Sequence, residues 1–435
     1  MKIYGQTAAD IAASIERSLY AGEKTPGDAL PTVRDLATDL GVSPATVSAA
    51  YKLLRTRGLT AGGGRRGTRV APALVAPPVQ PPAVPSGTVD LATGNPDPVL
   101  LAPLGPAMLH MEHELHLYGG RPDYPGLAAF ASSEFEADAV SGQSVAVLSG
   151  GMDAIERVLR EYLRPGDRVA VEDPSFPGII DLVAASGYLA VPVALDDEGP
   201  LPEALWAALG QGCAATILTP RGQNPTGATL GLERADALRQ VLSDYPGCLL
   251  IENDCAGPVA GTALHTLTDA TRERWAVVRS TSKFLGPDLR VAVVAGDHVT
   301  VARVQGRQAL GSRWVSHILQ QLALALWSDP SSGRRLARAG EIYGHRRTAV
   351  LAALREREID ARGASGFNIW VPVRDETSVV RSMADRGWAV AAGERFRLKA
   401  GPAIRVTVSA LQPRYAGRFA TDLAEALRPA QVGFA

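Results

Sequence analysis

Six prolines within residues 71–88, APALVAPPVQPPAVPSGT, constrain this 435-residue chain more than any other feature. Each proline fixes φ and removes a backbone donor, so the stretch favours extended polyproline II over a packed helix or strand. At about 3.1 Å per residue it could reach about 55 Å. It reads as a semi-rigid linker between residues 1–70 and a larger part, residues 89–435, and the length by itself already favours more than one domain.

Charge divides at the same place. The formal net charge is -1, from 44 Lys+Arg against 45 Asp+Glu, but residues 1–70 carry ten basic and six acidic side chains. The small part is thus +4 and the remainder -5, with the positive charge concentrated after residue 34. A wholly basic nucleic-acid binder is excluded, whereas a basic module ahead of a mildly acidic globular body is expected. Cys213, Cys248 and Cys255 are too irregularly spaced for a disulfide framework or a zinc site, so no metal is expected. With no signal-peptide pattern and no apolar run approaching a bilayer span, a cytoplasmic protein that avoids membranes is the expectation.

Three helical patterns succeed one another in the small part. Ile11, Ile15 and Leu19 recur at i, i+4, i+8, and Val33, Leu36, Ala37 and Leu40 at i, i+3, i+4, i+7. Gly41 stops the second helix; Ser43 and Pro44 start the third as N-cap and first residue, with Val47, Ala50, Tyr51 and Leu54 on its apolar face. A small, polar helix tip after a tight turn suits insertion into a DNA major groove. The glycine-rich LTAGGGRRGTRVA then reads as a hairpin offering Arg65 and Arg66 to phosphates or a minor groove. A small helical domain with a solvated basic loop is the plainer alternative.

Those residues, LPTVRDLATDLGVSPATVSAAYKLLRTRG followed by GGGRRGTRV, resemble the winged helix-turn-helix of the GntR regulators over residues 5–70. The resemblance implies DNA contacts from Arg34, Ser43, Thr46, Arg65 and Arg66. Pro44 stands where some relatives place a base-reading arginine, which leaves the operator sequence open.

Beyond the linker, β-rich runs alternate with helical stretches. Strands are expected at 145–148, 169–171, 189–193, 215–218, 249–251, 276–278 and 291–294, with helices at 153–163 and 230–242 among them. This pattern implies an α/β fold with a mostly parallel sheet covered on both faces, whose ligands bind at the carboxyl ends of strands. The motifs fall there. LSGGMDAIERVL opens a helix after a strand, and its glycines let a backbone approach an anion. Phe176 follows another strand, Asn224 lies in QNPTG, and Asn253 and Asp254 end a third in IENDCAG.

The chain has only five lysines, Lys2, Lys24, Lys52, Lys283 and Lys399, and two lie beyond the linker. Lys283 sits in RSTSKFLGPDLR, among hydroxyls and seven residues before Arg290. In a low-dielectric setting such an amine loses its proton more readily and attacks aldehydes. A helix N-terminus, hydroxyls and an arginine for a phosphate, with an acid for a ring nitrogen, describe a pyridoxal 5'-phosphate site in which Lys283 forms the Schiff base.

The order and spacing of these motifs resemble fold type I aminotransferases over residues 90–430, which include a smaller C-terminal subdomain. The resemblance implies that Ser149, Gly150, Gly151, Met152, Ser280, Ser282 and Arg290 cup the phosphate and that Phe176 stacks on the ring. Asn224 would bond the ring hydroxyl, Asp254 the ring nitrogen, and Arg405 a ligand carboxylate. Tyr118 would be lent to the partner's phosphate in a homodimer. Two departures stand out. The tyrosine expected two or three residues after the ring-nitrogen aspartate is replaced by Cys255, Ala256 or Gly257, and with a shift of one Asn253 takes the aspartate's place. Both changes argue against efficient transamination and leave cofactor binding intact.

A GntR winged helix joined by a long linker to an aminotransferase-like domain resembles the MocR regulators, and WAVVRSTSKFLGPDLRVA with GSRWVSH is similar to a member linked to vitamin B6 metabolism. The resemblance implies a homodimeric, operator-binding regulator that senses pyridoxal phosphate through Lys283, controls vitamin B6 genes and has residual or no transaminase activity. An amino acid or amine is a candidate second effector. The alternatives are a working aminotransferase that carries a DNA-binding module, and a dimerisation scaffold with a dead site.

Overall fold

The computed structural model describes residues 2–56, 59–62, 67–71, 84–109, 111, 115–140, 142–269 and 271–428. Arg65, Arg66 and most of the linker lie outside them. Contacts divide the chain into two compact units, one of Met1–Gln80 with Leu163–Val169 and Ile180–Ala190, the other of the remainder.

The N-terminal module is three helices and a two-stranded ribbon: α1 (Ala8–Tyr20), α2 (Val33–Leu40), α3 (Pro44–Thr56), β1 (Thr60–Gly62) and β2 (Thr68–Val70), the strands antiparallel. Local chemistry fixes the helix ends. Thr7 and Asp10 form a capping box on α1, and Thr32 Oγ1 accepts the Asp35 N–H at 3.2 Å to start α2. Gly41 ends α2 in the left-handed region at φ +66°, a conformation that costs glycine nothing. Ser43 Oγ then accepts the Thr46 N–H at 3.1 Å to cap α3. The apolar faces read from the sequence meet in one core of Ile11, Ile15, Leu19, Leu36, Ala37, Val47, Ala50, Tyr51 and Leu54, with Val33 and Leu40 at its edge. Each buried Ile or Leu there contributes about 1.5–3 kcal/mol.

The body is built on an eight-stranded sheet: β4 (Ser144–Leu148), β5 (Arg168–Asp173), β6 (Leu189–Asp196), β7 (Gly199–Pro200), β8 (Cys213–Leu218), β9 (Leu249–Asp254), β10 (Trp275–Ser280) and β11 (Ala292–Gly296). Its order is β4-β11-β10-β9-β8-β5-β6-β7. Every strand expected from the sequence is present, most of them longer by a few residues. Helices Gly151–Tyr162 and Leu232–Ser243 match the two expected between strands. Strands β8, β9 and β10 are parallel, while β11 runs antiparallel to both β10 and β4. The reason is the connection 281–291, which is too short for a crossover helix and forces the chain straight back. That turn carries Lys283 and Arg290. Because β4, β8, β9 and β10 share one direction, the segments that follow them, and the entry to β11, gather at one end of the sheet.

A second sheet, of order β12-β14-β13-β3, is formed by β3 (Val89–Leu91), β12 (Asn368–Pro372), β13 (Trp388–Ala392) and β14 (Ala403–Thr407). It is the core of the smaller subdomain expected near the C-terminus. Its edge strand β3 comes from just after the linker and pairs in parallel with β13, which the sequence pattern did not suggest. Among the described residues no helix is long and apolar enough to cross a membrane.

Candidate functional site

Six of the expected phosphate ligands converge where β4, β10 and β11 meet. Gly150 has φ +105°, and a Cβ there would lie 2.5 Å from Arg290 Nη2. Only glycine therefore admits the guanidinium, which donates to Ser149 O at 3.3 Å. A Cβ on Gly151 would touch Ser280 Cβ at 3.3 Å, so this glycine sets the close approach of helix Gly151–Tyr162 to β10. Ser280 Oγ donates to Ser282 Oγ at 3.0 Å and accepts the Ser282 N–H at 3.3 Å. The free N–H groups of the helix start, two hydroxyls and an exposed arginine make an anion cradle. Met152 lies half-buried in the first helical turn.

Lys283 leaves the end of β10 in a short 3-10 turn and lines one cleft with Gly94, Asn224 and Cys255. Its Nζ donates to Gly94 O at 2.6 Å, and Phe367 lies 5.9 Å below it. Burial pushes the ammonium below its ordinary pKa; Cys255 opposes the shift and Arg405 adds to it. That is the direction a nucleophilic amine requires. Burial pushes the Cys255 thiol up to about 11, so it sits beside the lysine as a neutral group.

Arg405, on β14, reaches the same cleft from the smaller sheet. Its Nη1 donates to Asn224 Oδ1 at 3.2 Å and its Nη2 to Ala92 O, while Nε is buried with no partner among the described residues. Burial lowers its pKa to about 10, against the pull of Asp90. The segment Ala92–Gly94 was not singled out in the sequence, yet its carbonyls hold both Arg405 and Lys283. Gly94 is at φ +74°, and a Cβ there would stand 3.2 Å from Arg405 Nη1. TGNPDP reads only as a turn, so no sequence signal marked it.

Asp254 does not take the role expected of it. It is wholly buried, and both its oxygens are spent: Oδ1 accepts from Arg221 Nε at 2.8 Å, and Oδ2 from Arg279 Nε at 2.7 Å and Arg221 Nη2 at 2.9 Å. The two guanidiniums also grip Asp138, at 3.3 and 2.5 Å. Burial opposes ionisation, but the two arginines hold the Asp254 carboxyl well below the usual carboxylate range. In the β9–β10 register Asp254 faces Arg279 and Asn253 faces Val278. Side chains alternate across a strand, so these pairs lie on opposite sides of the sheet. Gly151 abuts Val278 and Ser280, which identifies the Asn253 side as the cradle side. The physical reason is neutralisation: buried Arg221 and Arg279 need the acid on their own face.

The remaining positions are mixed. Phe176 is half-buried beyond β5, its ring close over Gly178. Tyr118 is 80% exposed and touches none of these groups; its ring meets Trp314 at 5.5 Å and Arg313 at 5.2 Å. In the N-terminal module Arg34 is exposed in the first turn of α2, while Ser43 and half-buried Thr46 share a 2.8 Å hydroxyl contact at the start of α3.

The donor set fits a phosphorylated pyridine aldehyde. It offers an anion cradle that a Cβ would fill, an amine of lowered pKa, a buried arginine nitrogen without a partner among the described residues, and an amide on the cradle side of the sheet.

Residues 102–423 match the aminotransferase class I and II family, and residues 7–70 the bacterial regulatory proteins of the gntR family. The chain is 40% identical over 430 residues to the vitamin B6 salvage pathway transcriptional repressor PtsJ of Salmonella typhimurium, covering 98% of this chain and 99% of that one. It is 25% identical over 395 residues to the pyridoxine biosynthesis transcriptional regulator PdxR of Corynebacterium glutamicum, 87% of this chain and 86% of that one. Among solved structures, LysN, the alpha-aminoadipate aminotransferase of Thermus thermophilus, superposes with a TM-score of 0.69 at 24% identity, over 79% of this chain and 92% of that one. The body thus has the fold type I aminotransferase architecture. The chain belongs to the class I and II aminotransferase family, and a DNA-binding winged helix-turn-helix of the gntR family precedes its aminotransferase fold.

Proposed function

We propose that the protein is a transcriptional regulator of vitamin B6 metabolism genes that senses pyridoxal 5'-phosphate at Lys283. Residues 1–70 bind operator DNA, residues 71–88 link, and residues 89–435 hold the effector and dimerise. The observation that carries this reading is Lys283 itself: a half-buried amine of lowered pKa in one cleft with Asn224, which Arg405 contacts, at the same end of the sheet as an anion cradle. The two regulators of B6 salvage and synthesis with which the chain aligns support the choice of effector.

Pyridoxal phosphate supplies an aldehyde that condenses reversibly with an unprotonated amine. The chain does the rest. Ser149, Gly150, Gly151, Met152, Ser280, Ser282 and Arg290 would bind the phosphate, and Phe176 would stack on the ring. Gly94 O holds Lys283 Nζ in the cleft and, as an acceptor, keeps it oriented until it reacts. Asn224 positions Arg405, whose buried Nε has no partner among the described residues and would serve the carboxylate of a second ligand. Effector binding couples to DNA by stabilising one arrangement of the dimer over another.

Dimerisation rests on an exposed apolar surface. Leu109, Leu115, Leu117, Tyr118 and Leu310 are each 72–92% exposed, apolar area that a partner subunit would remove from water. A second copy covers them and brings Tyr118 to its partner's phosphate.

Arg34→Ala is expected to weaken operator binding, with a deficit that shrinks as salt rises, because a lost phosphate contact lowers the log–log salt slope by about 0.9. Fluorescence anisotropy across a salt series measures this; unchanged affinity and slope would remove Arg34 from the interface. A working aminotransferase is the second reading, favoured by the retained Asn224–Arg405 pair. Steady-state turnover with amino donors separates the two.

A further inference from the structure

The side chain of Asn253 is 6% exposed and makes no hydrogen bond to any described residue. Its amide atoms are not wholly sealed off, so a ligand can reach them. It lies on the cradle side of the sheet, in register with Val278 and two residues from Cys255, which lines the lysine cleft. Asp254, its neighbour, is unavailable to any ligand, because two arginines occupy both its oxygens on the opposite side. The side chain at the end of β9 that is free to meet a ring nitrogen is therefore a neutral amide.

We propose that Asn253 is the ring-nitrogen partner and that it holds the pyridine nitrogen unprotonated, donating from Nδ2 to its lone pair. The proposal rests on the pyridoxal phosphate reading above and adds what the site does with the cofactor. A carboxylate at this place would keep the nitrogen protonated by supplying a counter-charge. Asn253 supplies none. Arg405, which reaches the cleft through Asn224, is cationic and disfavours a buried pyridinium. An unprotonated ring withdraws electrons weakly, so the site retains its ligand without activating the C–H bond of a bound amino acid. Replacement of the expected tyrosine by Cys255, neutral at physiological pH, acts in the same direction.

The test uses the full-length protein loaded with pyridoxal phosphate labelled with 15N in the ring. In the wild type the ring nitrogen is expected to resonate where unprotonated pyridines do at neutral pH. Asn253→Asp should move it upfield to the protonated position. The same variant should convert bound cofactor to the pyridoxamine form with an amino acid at least about a hundredfold faster, in line with placing one electrostatic group at a reacting centre. Asp254→Asn should leave the nitrogen signal unchanged. A protonated ring in the wild type would overturn the proposal while leaving cofactor sensing intact, and this measurement needs no variant to fold. A nitrogen signal that responds to Asp254→Asn would also overturn it. Absence of any bound signal would overturn both this proposal and the reading it rests on.

Discussion

Replacing Lys283 with alanine is expected to abolish covalent retention of pyridoxal phosphate. The visible absorption band of the loaded protein should disappear, and borohydride treatment should leave no pyridoxyl mass on the chain. The expectation is this complete because no other lysine can substitute. Lys2, Lys24 and Lys52 belong to the N-terminal module, and Lys399 is exposed, its backbone N–H instead donating to Asp173 Oδ2 at 2.7 Å. Residual binding by the cradle alone should be at least about tenfold weaker, a loss of about 1.4 kcal/mol. The fold should survive, since among the described residues Lys283 Nζ makes one hydrogen bond, to Gly94 O. A label persisting in the variant, mapped to Lys399 by peptide analysis, would overturn the assignment.

Asp254→Asn should act on stability where Lys283→Ala acts on the ligand. The substitution strips a counter-charge from Arg221 and Arg279, which are almost wholly buried and would be left to share Asp138. Removing one member of a buried ionic group costs about 3–5 kcal/mol, because the stranded charges stay desolvated. Denaturant titration should therefore show a lower midpoint with an unchanged slope. The pH dependence has a definite sign. The Asp254 carboxyl lies below its unfolded value, so its stabilisation is present above about pH 4 and is lost as pH falls toward the folded pKa. The variant should lack that portion of the acid limb. A loss under about 1 kcal/mol, well short of that range, would mean that Asp138 neutralises both arginines unaided.

How legible the protein was in its sequence follows from which signals are local. The three N-terminal helices could be read because Gly41 and Ser43 punctuate strong apolar periodicity; the caps at Thr7 and Thr32 came only from the structure. The strands of the large sheet were legible as short apolar runs. Their direction was not: the reversal at β11 depends on the length of one loop. Gly94 and Arg405 come together from opposite ends of the body through the β3–β13–β14 edge, and no local pattern announces such a meeting. The ambiguity between Asn253 and Asp254 could not be resolved by motif alone, because a shift of one residue preserves the motif and exchanges the faces. Arg221 and Arg279 hold Asp254 on one of those faces, which leaves Asn253 on the other.

Pyridoxal phosphate bound in the body is expected to change how the N-terminal module holds DNA. An operator fragment selected by the protein from a random duplex pool, titrated at fixed salt with and without pyridoxal phosphate, tests it directly. The two affinities are expected to differ by at least about fivefold, the lower end of typical coupling between sites, and Lys283→Ala is expected to remove the difference. Superimposable curves for wild-type protein whose Lys283 is fully occupied would contradict it.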